Sequence, residues 1–150
     1  MSGSINPFVA QGTLNRVRSS VIPSAFPSLA IASYNMGKRF ATFRPDEDFV
    51  HQAQTGTGVV NSPEPYVMAT IEVHLLRTQG LTEAWINQAK QTSIIGDVTI
   101  HSDTSAFPSR TISNSVIRML QPGVFDGVDP VAVLSLHGVW YVNNNLWSFS

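Results

Sequence analysis

The feature that most limits what this chain can fold into lies between Ser62 and Ile100, where the hydrophobic period changes twice. From Val67 to Leu75 the odd positions are Val67, Ala69, Ile71, Val73 and Leu75, and the even ones are Met68, Thr70, Glu72 and His74. This period of two is that of a strand with one face on a core and one toward water. Leu81, Trp85 and Ala89 then recur every fourth residue, with Ala84 and Ile86 beside them, so an amphipathic helix over about 81–92 follows, with these three as its core anchors. Gly80 ends the strand, Thr82 suits the N-cap, Glu83 lies near the positive end of the helix dipole and Lys90 near the negative end. Val98 and Ile100, alternating with Asp97, Thr99 and His101, resume a strand after Ile95-Gly96-Asp97.

The flanking chain reads as further strands. Gly12 to Ile22 is a first strand ended by Pro23, and Leu29 to Tyr34 a short second one. Asn35 to Lys38 is a turn before a strand from Phe40 to Arg44. Asp46, Glu47 and Asp48 form an acidic reversal, from which Phe49 to Gln54 returns as the other half of a hairpin. Residues 55–65 form a long loop. Pro63 and Pro65 lack amide donors, so Ser62 to Tyr66 is expected to be an extended linker that delivers the long strand without pairing. Thr111 to Leu120 and Val131 to Val142 complete the set, and the apolar run Val131 to Leu136 suggests a strand buried on both faces. Seven or eight strands with one helix predict a mainly β fold, a β-sandwich or split barrel with one flanking α-helix.

A chain of 150 residues corresponds to a single domain, 1–150, with an N-terminal arm over about 1–10. Neither a signal peptide nor an apolar membrane span is legible. With no cysteine, disulfides and thiolate zinc sites are excluded. Only 13% of the residues are charged while 43% are hydrophobic, and the formal net charge is -1. An ordinary globular chain carries about 25% charged residues. A surface so sparing of charge is weakly protected against association, so much of it is expected to be interface. The same balance provides no basic patch for a nucleic-acid binder.

Residues that carry chemistry are sparse. The four histidines, His51, His74, His101 and His137, fall on separate strands without metal-ligand spacing. Asp46-Glu47-Asp48 lacks the central glycine and terminal glutamate of a calcium loop. Gly56-Thr57-Gly58 lacks the lysine of a phosphate loop. Glu64 and Asp97 are the least unfavourable acid pair for a hydrolase, and Trp140, Tyr141 and Trp147 the candidate aromatic patch for a carbohydrate-binding module. The expectation is a non-enzyme without metal or cofactor.

Gly12-Thr13-Leu14-Asn15-Arg16, Ser62-Pro63-Glu64-Pro65-Tyr66, Leu75-Leu76-Arg77-Thr78-Gln79, Ile95-Gly96-Asp97 and the segment from Gly138 to Asn145, taken in order, resemble tail tube proteins of contractile-tailed bacteriophages, relatives of bacteriocin and type VI secretion tubes. The resemblance implies a structural virion protein, made in the host cytoplasm, whose hexameric rings stack into a tube that passes DNA without binding it specifically. Its partners would be itself, the sheath, the baseplate and the tail terminator, with no membrane. Thr70, Glu72 and His74 would then face the lumen. Asp46, Glu47, Asp48, Pro63, Glu64, Pro65 and Tyr66 would lie at contacts between subunits or rings.

Overall fold

The computed structural model describes residues 19–102 and 108–148. The N-terminal arm, the motif at Gly12 to Arg16 and most of the expected first strand lie outside the described residues. The elements are β1 (Ser20–Pro23), β2 (Ile31–Ala32), β3 (Met36–Pro45), β4 (Val50–Gln54), β5 (Val59–Pro63), β6 (Tyr66–Leu76), α1 (Gly80–Gln91), β7 (Ile94–His101), β8 (Arg110–Gln121) and β9 (Val131–Tyr141). Seven strands form one sheet in the order β2-β1-β7-β8-β9-β6-β3, and β4 and β5 pair with each other alone. Every pairing is antiparallel. The first and last strands of that order, β2 and β3, are consecutive in the chain, joined by a 3-10 turn at Ser33–Asn35, so the sheet curls toward its own far edge. The architecture is mainly β, a nearly closed barrel with one helix.

The alternation of β6 is realised residue by residue. Val67, Ala69, Ile71, Val73 and Leu75 are all fully buried. Ala69, Ile71, Val73 and Leu75 share a core with Val21, Ile31, Met36, Val98, Ile112, Leu134 and Leu136 from the other strands, and with Trp85. Among the helix anchors Trp85 is fully buried, whereas Leu81 and Ala89 are half-buried against the cluster. The indole Nε1 has no acceptor among the described residues, so Trp85 holds the helix by packing. Burying an aromatic side chain of this size contributes roughly 3 kcal/mol.

Several local readings are corrected. The helix starts at Gly80 with Gln79 as its N-cap; Thr82 instead lies inside it and donates its hydroxyl back to the Leu76 carbonyl, at 2.9 Å. In the sheet, β8 and β9 stand between β6 and β7, the two strands that the helix connects. The expected strand over Leu29 to Tyr34 shrinks to Ile31–Ala32 because 3-10 turns flank it. No turn separates Asn35 from the next strand. β3 begins at Met36 and absorbs its irregularity as a bulge: Met36 faces Leu75 and Ala41 faces Val73, with Phe40 at φ 56 between them. β9 is not buried on both faces, for Ala132, Leu134 and Leu136 are buried while Val131 and Val133 are only half-buried.

The largest correction concerns residues 46–65. Phe40 to Arg44 does not pair with Phe49 to Gln54; β3 pairs with β6, and β4 pairs with β5 from Val50↔Pro63 to Gln54↔Val59. The supposed loop 55–65 is therefore a tight turn and a strand, closed by the Thr55 amide donating to the Gly58 carbonyl at 2.8 Å. Pro63 sits in this ladder because β5 has one neighbour only, and a proline is tolerated where its missing N–H points outward. Asp46, Glu47 and Asp48 are consequently not the tip of a hairpin but the link from the barrel to one.

Candidate assembly interface

The two ends of the barrel carry different projections. At the Tyr66 end of β6 the β4–β5 hairpin leaves after Pro45 and returns at Tyr66, and every residue in both of its strands is exposed. Val50, Val59 and Val60 are 37%, 55% and 57% exposed. An isolated two-stranded hairpin is marginal in water, so this one depends on what anchors its base and on what covers its length. Tyr66, Tyr141 and Trp147 add exposed aromatic surface at the same end.

The Leu76 end carries the loop from Pro122 to Pro130, between β8 and β9. Its apolar side chains point outward, with Phe125 87% and Val128 82% exposed, yet the backbone is held from within. Arg77 donates to the carbonyls of Pro122 (3.1 Å) and Asp129 and sets its guanidinium 5.5 Å from the centre of the Phe125 ring. The Asp126 Oδ1 accepts from the amides of Val128 (2.9 Å) and Asp129 (3.1 Å), which hold its carboxyl below the usual range. Gly123 and Gly127 supply the positive φ values, 90° and 77°, that the loop needs. The 11 residues of β6, at about 3.3 Å each, put roughly 35 Å between the two projections.

Between these ends runs the outer, polar face of β3, β6 and β9. Register places Thr42, Glu72 and Ser135 in one row and Arg44, Thr70 and His137 in the next. Glu72 Oε1 lies 3.5 Å from His74 Nε2, and their side chains are 35% and 17% exposed. Thr70 is not open on this face; it is 3% exposed, because the chain after β3 folds Asp46 over it. The Thr70 hydroxyl donates to Asp46 Oδ2 at 2.6 Å, His137 Nδ1 lies 3.2 Å from the same oxygen, and Arg44 Nε donates to Oδ1 at 3.2 Å. Partial burial raises the Asp46 pKa, but the Thr70 hydrogen bond and the Arg44 and His137 charges outweigh it, leaving it below the ordinary carboxylate value. The Thr70 hydroxyl also lies 3.2 Å from His137 Nδ1, and the cluster fastens the start of the hairpin to the sheet.

The structure thus gathers Asp46, Pro63, Glu64, Pro65 and Tyr66 at one end of the barrel, where Glu47 and Asp48 are exposed, and leaves Thr70, Glu72 and His74 on its flank. Glu64 and Asp97 are not brought together, since Asp97 belongs to β7 and β8 and β9 intervene. Trp140 is no part of an open patch: it packs edge-on against Phe43 and Phe49, at 5.0 and 5.7 Å. Tyr141 and Trp147 do meet in the open, but at 79° between planes, which offers no flat platform for a sugar ring. No three His, Asp or Glu side chains among the described residues converge as metal ligands. The sequence reads Gln121 to Gly127 as a long turn between the last two strands, as Gly123, Asp126 and Gly127 suggest; the outward display of Phe125 and Val128 is visible only in the fold.

A single-sheet β-barrel with one flanking helix and projections at both ends is the class this fold defines. No protein-family profile matches the chain, and no curated protein does. Among solved structures the chain is similar to the tube-terminating cap of the anti-feeding prophage, with 18% sequence identity over 94% of this chain and 95% of that one and a TM-score of 0.46. No helix among the described residues is long and apolar enough to cross a membrane.

Proposed function

We propose that this chain is a self-assembling structural subunit of a contractile-tail tube, forming hexameric rings that stack into a hollow conduit for DNA. The observation that carries the reading is the pair of exposed apolar projections at opposite ends of one barrel. Different surfaces that meet head to tail generate rings or open filaments, whereas a closed dimer would use the same surface twice. The low charge fraction and the resemblance of the sequence motifs to phage tail tubes point the same way. In this reading the protein works by geometry without a catalytic step. The hairpin and its base at Asp46 to Asp48 and Pro63 to Tyr66 make contacts between subunits or rings, and sheath, baseplate and terminator are the further partners of a subunit placed in a virion tail. The row that contains Glu72 faces the lumen, where a neutral to acidic wall passes DNA without the counterion release that lysines would bring.

Sedimentation velocity over a wide concentration range, with electron microscopy of the same samples, tests this. Rings or tubes of uniform diameter are expected. A monodisperse monomer throughout, with no tubes even when a baseplate nucleus is added, refutes the proposal.

A further inference from the structure

The hairpin is an exposed lever, so whatever it docks against depends on the angle at which it leaves the barrel. Pro63 and Pro65 bring no amide donors to its base, where the main-chain ties are the Asp46 amide donating to the Met68 carbonyl at 2.8 Å, the Glu64 amide donating to the Phe49 carbonyl at 2.9 Å and the Val142 amide donating to the Pro65 carbonyl at 3.4 Å. The Asp46 cluster fastens the first leg to the sheet, and one further side chain ties both legs to the end of β9. Asn143 Nδ2 donates to the Phe49 carbonyl at 2.9 Å and to the Glu64 carbonyl at 2.8 Å, so both of its N–H groups are spent on the two legs of the hairpin. Asn143 itself has φ 51, a left-handed conformation that asparagine adopts more readily than most residues, and its own carbonyl starts the last turn by accepting from the Leu146 amide at 2.9 Å. Glutamine is too long and aspartate has no donors, whereas the amide of asparagine at this backbone angle reaches both carbonyls.

We infer that Asn143 is the positioning residue of the docking arm: it clamps both legs of the β4–β5 hairpin to the end of β9 and thereby sets the arm's direction. The inference rests on the proposed assembly for what the arm docks against, a second copy of this chain, but not for the clamp. The arm is five residues long, about 17 Å at 3.3 Å per residue. A swing of about 10° at its base moves the tip by about 3 Å, more than a packed interface absorbs.

Two variants test the clamp. Asn143→Gly keeps the left-handed backbone and loses the amide; Asn143→Asp keeps the shape but sets a carboxylate against two carbonyls. Hydrogen exchange of the full chain in dispersed form reads the hairpin directly, and the Glu64 amide and the β4–β5 ladder should exchange about 10-fold faster in both variants. The thermal midpoint of the barrel should stay close to that of wild type, while the concentration at which assembly begins rises about 10-fold. Unchanged exchange overturns the clamp. Faster exchange with unchanged assembly overturns the positioning role. A wild-type chain that never associates overturns the assembly reading and the docking role with it, while the exchange result still decides the clamp.

Discussion

Gly138 is where the packing of this barrel can be tested most sharply. It lies in β9 opposite the bulged part of β8, and a Cβ added there would stand 2.9 Å from the Ser113 carbonyl oxygen, 2.9 Å from Ser115 Cβ and 3.0 Å from Ser115 Cα. Two of these three are backbone atoms of the neighbouring strand, so no rotamer change relieves the clash and β8 must move by several tenths of an ångström. Overpacking of this kind costs about 1–3 kcal/mol. Against it, alanine restricts the unfolded chain and returns about 0.4–1 kcal/mol. The net expectation for Gly138→Ala is a loss of about 1–2 kcal/mol. At about 2–4 °C per kcal/mol for a chain of this size, the melting midpoint falls by roughly 2–8 °C. Gly58→Ala is the internal control, since nothing lies within 4 Å of its added Cβ, and with no clash to offset the unfolded-chain effect its midpoint should rise by the equivalent of about 0.4–1 kcal/mol. Thermal unfolding followed by circular dichroism, with urea midpoints as a check, compares the two. Equal shifts for both glycines would refute the steric argument and the close approach of β8 to β9 on which it depends.

Glu72→Lys should alter stability by less than about 0.5 kcal/mol, yet slow DNA passage through assembled tubes in a salt-dependent way; ejection as fast as wild type at low salt would remove Glu72 from the lumen wall. Asp46→Asn exchanges a carboxylate that accepts from Thr70 and Arg44 for a weaker acceptor, at a cost of about 1–2 kcal/mol. Because the folded Asp46 pKa lies below its ordinary value, wild type keeps this contribution above about pH 4 and loses it as the pH falls through the depressed folded value, so urea midpoints of the two proteins should converge in acid and separate at neutral pH. Phe125→Ser removes an 87% exposed ring and should leave the melting midpoint within about 2 °C while raising the concentration at which assembly starts; an unchanged onset in sedimentation would remove this loop from the interface.

What the sequence by itself determined is what local geometry dictates. The alternation from Val67 to Leu75 admits one assignment because successive strand side chains point to opposite faces, and Trp85 follows the helical period just as directly. Pairing and burial are different, because they depend on residues far away in the chain. Val131 and Val133 are as apolar as any core residue, and only the position of β9 between β6 and β8, with one face outward, leaves them half-buried. Pro63 and Pro65 argued against a strand on local grounds, and β5 exists because its outer edge needs no donors. Asp46 meets Thr70, 24 residues on, and Thr70 meets His137, 67 residues further; no spacing rule joins them. Asn143 reaches back 94 and 79 residues to the hairpin. Those contacts belong to the tertiary structure alone, since loop closure over such distances is repaid only by the whole sheet folding at once.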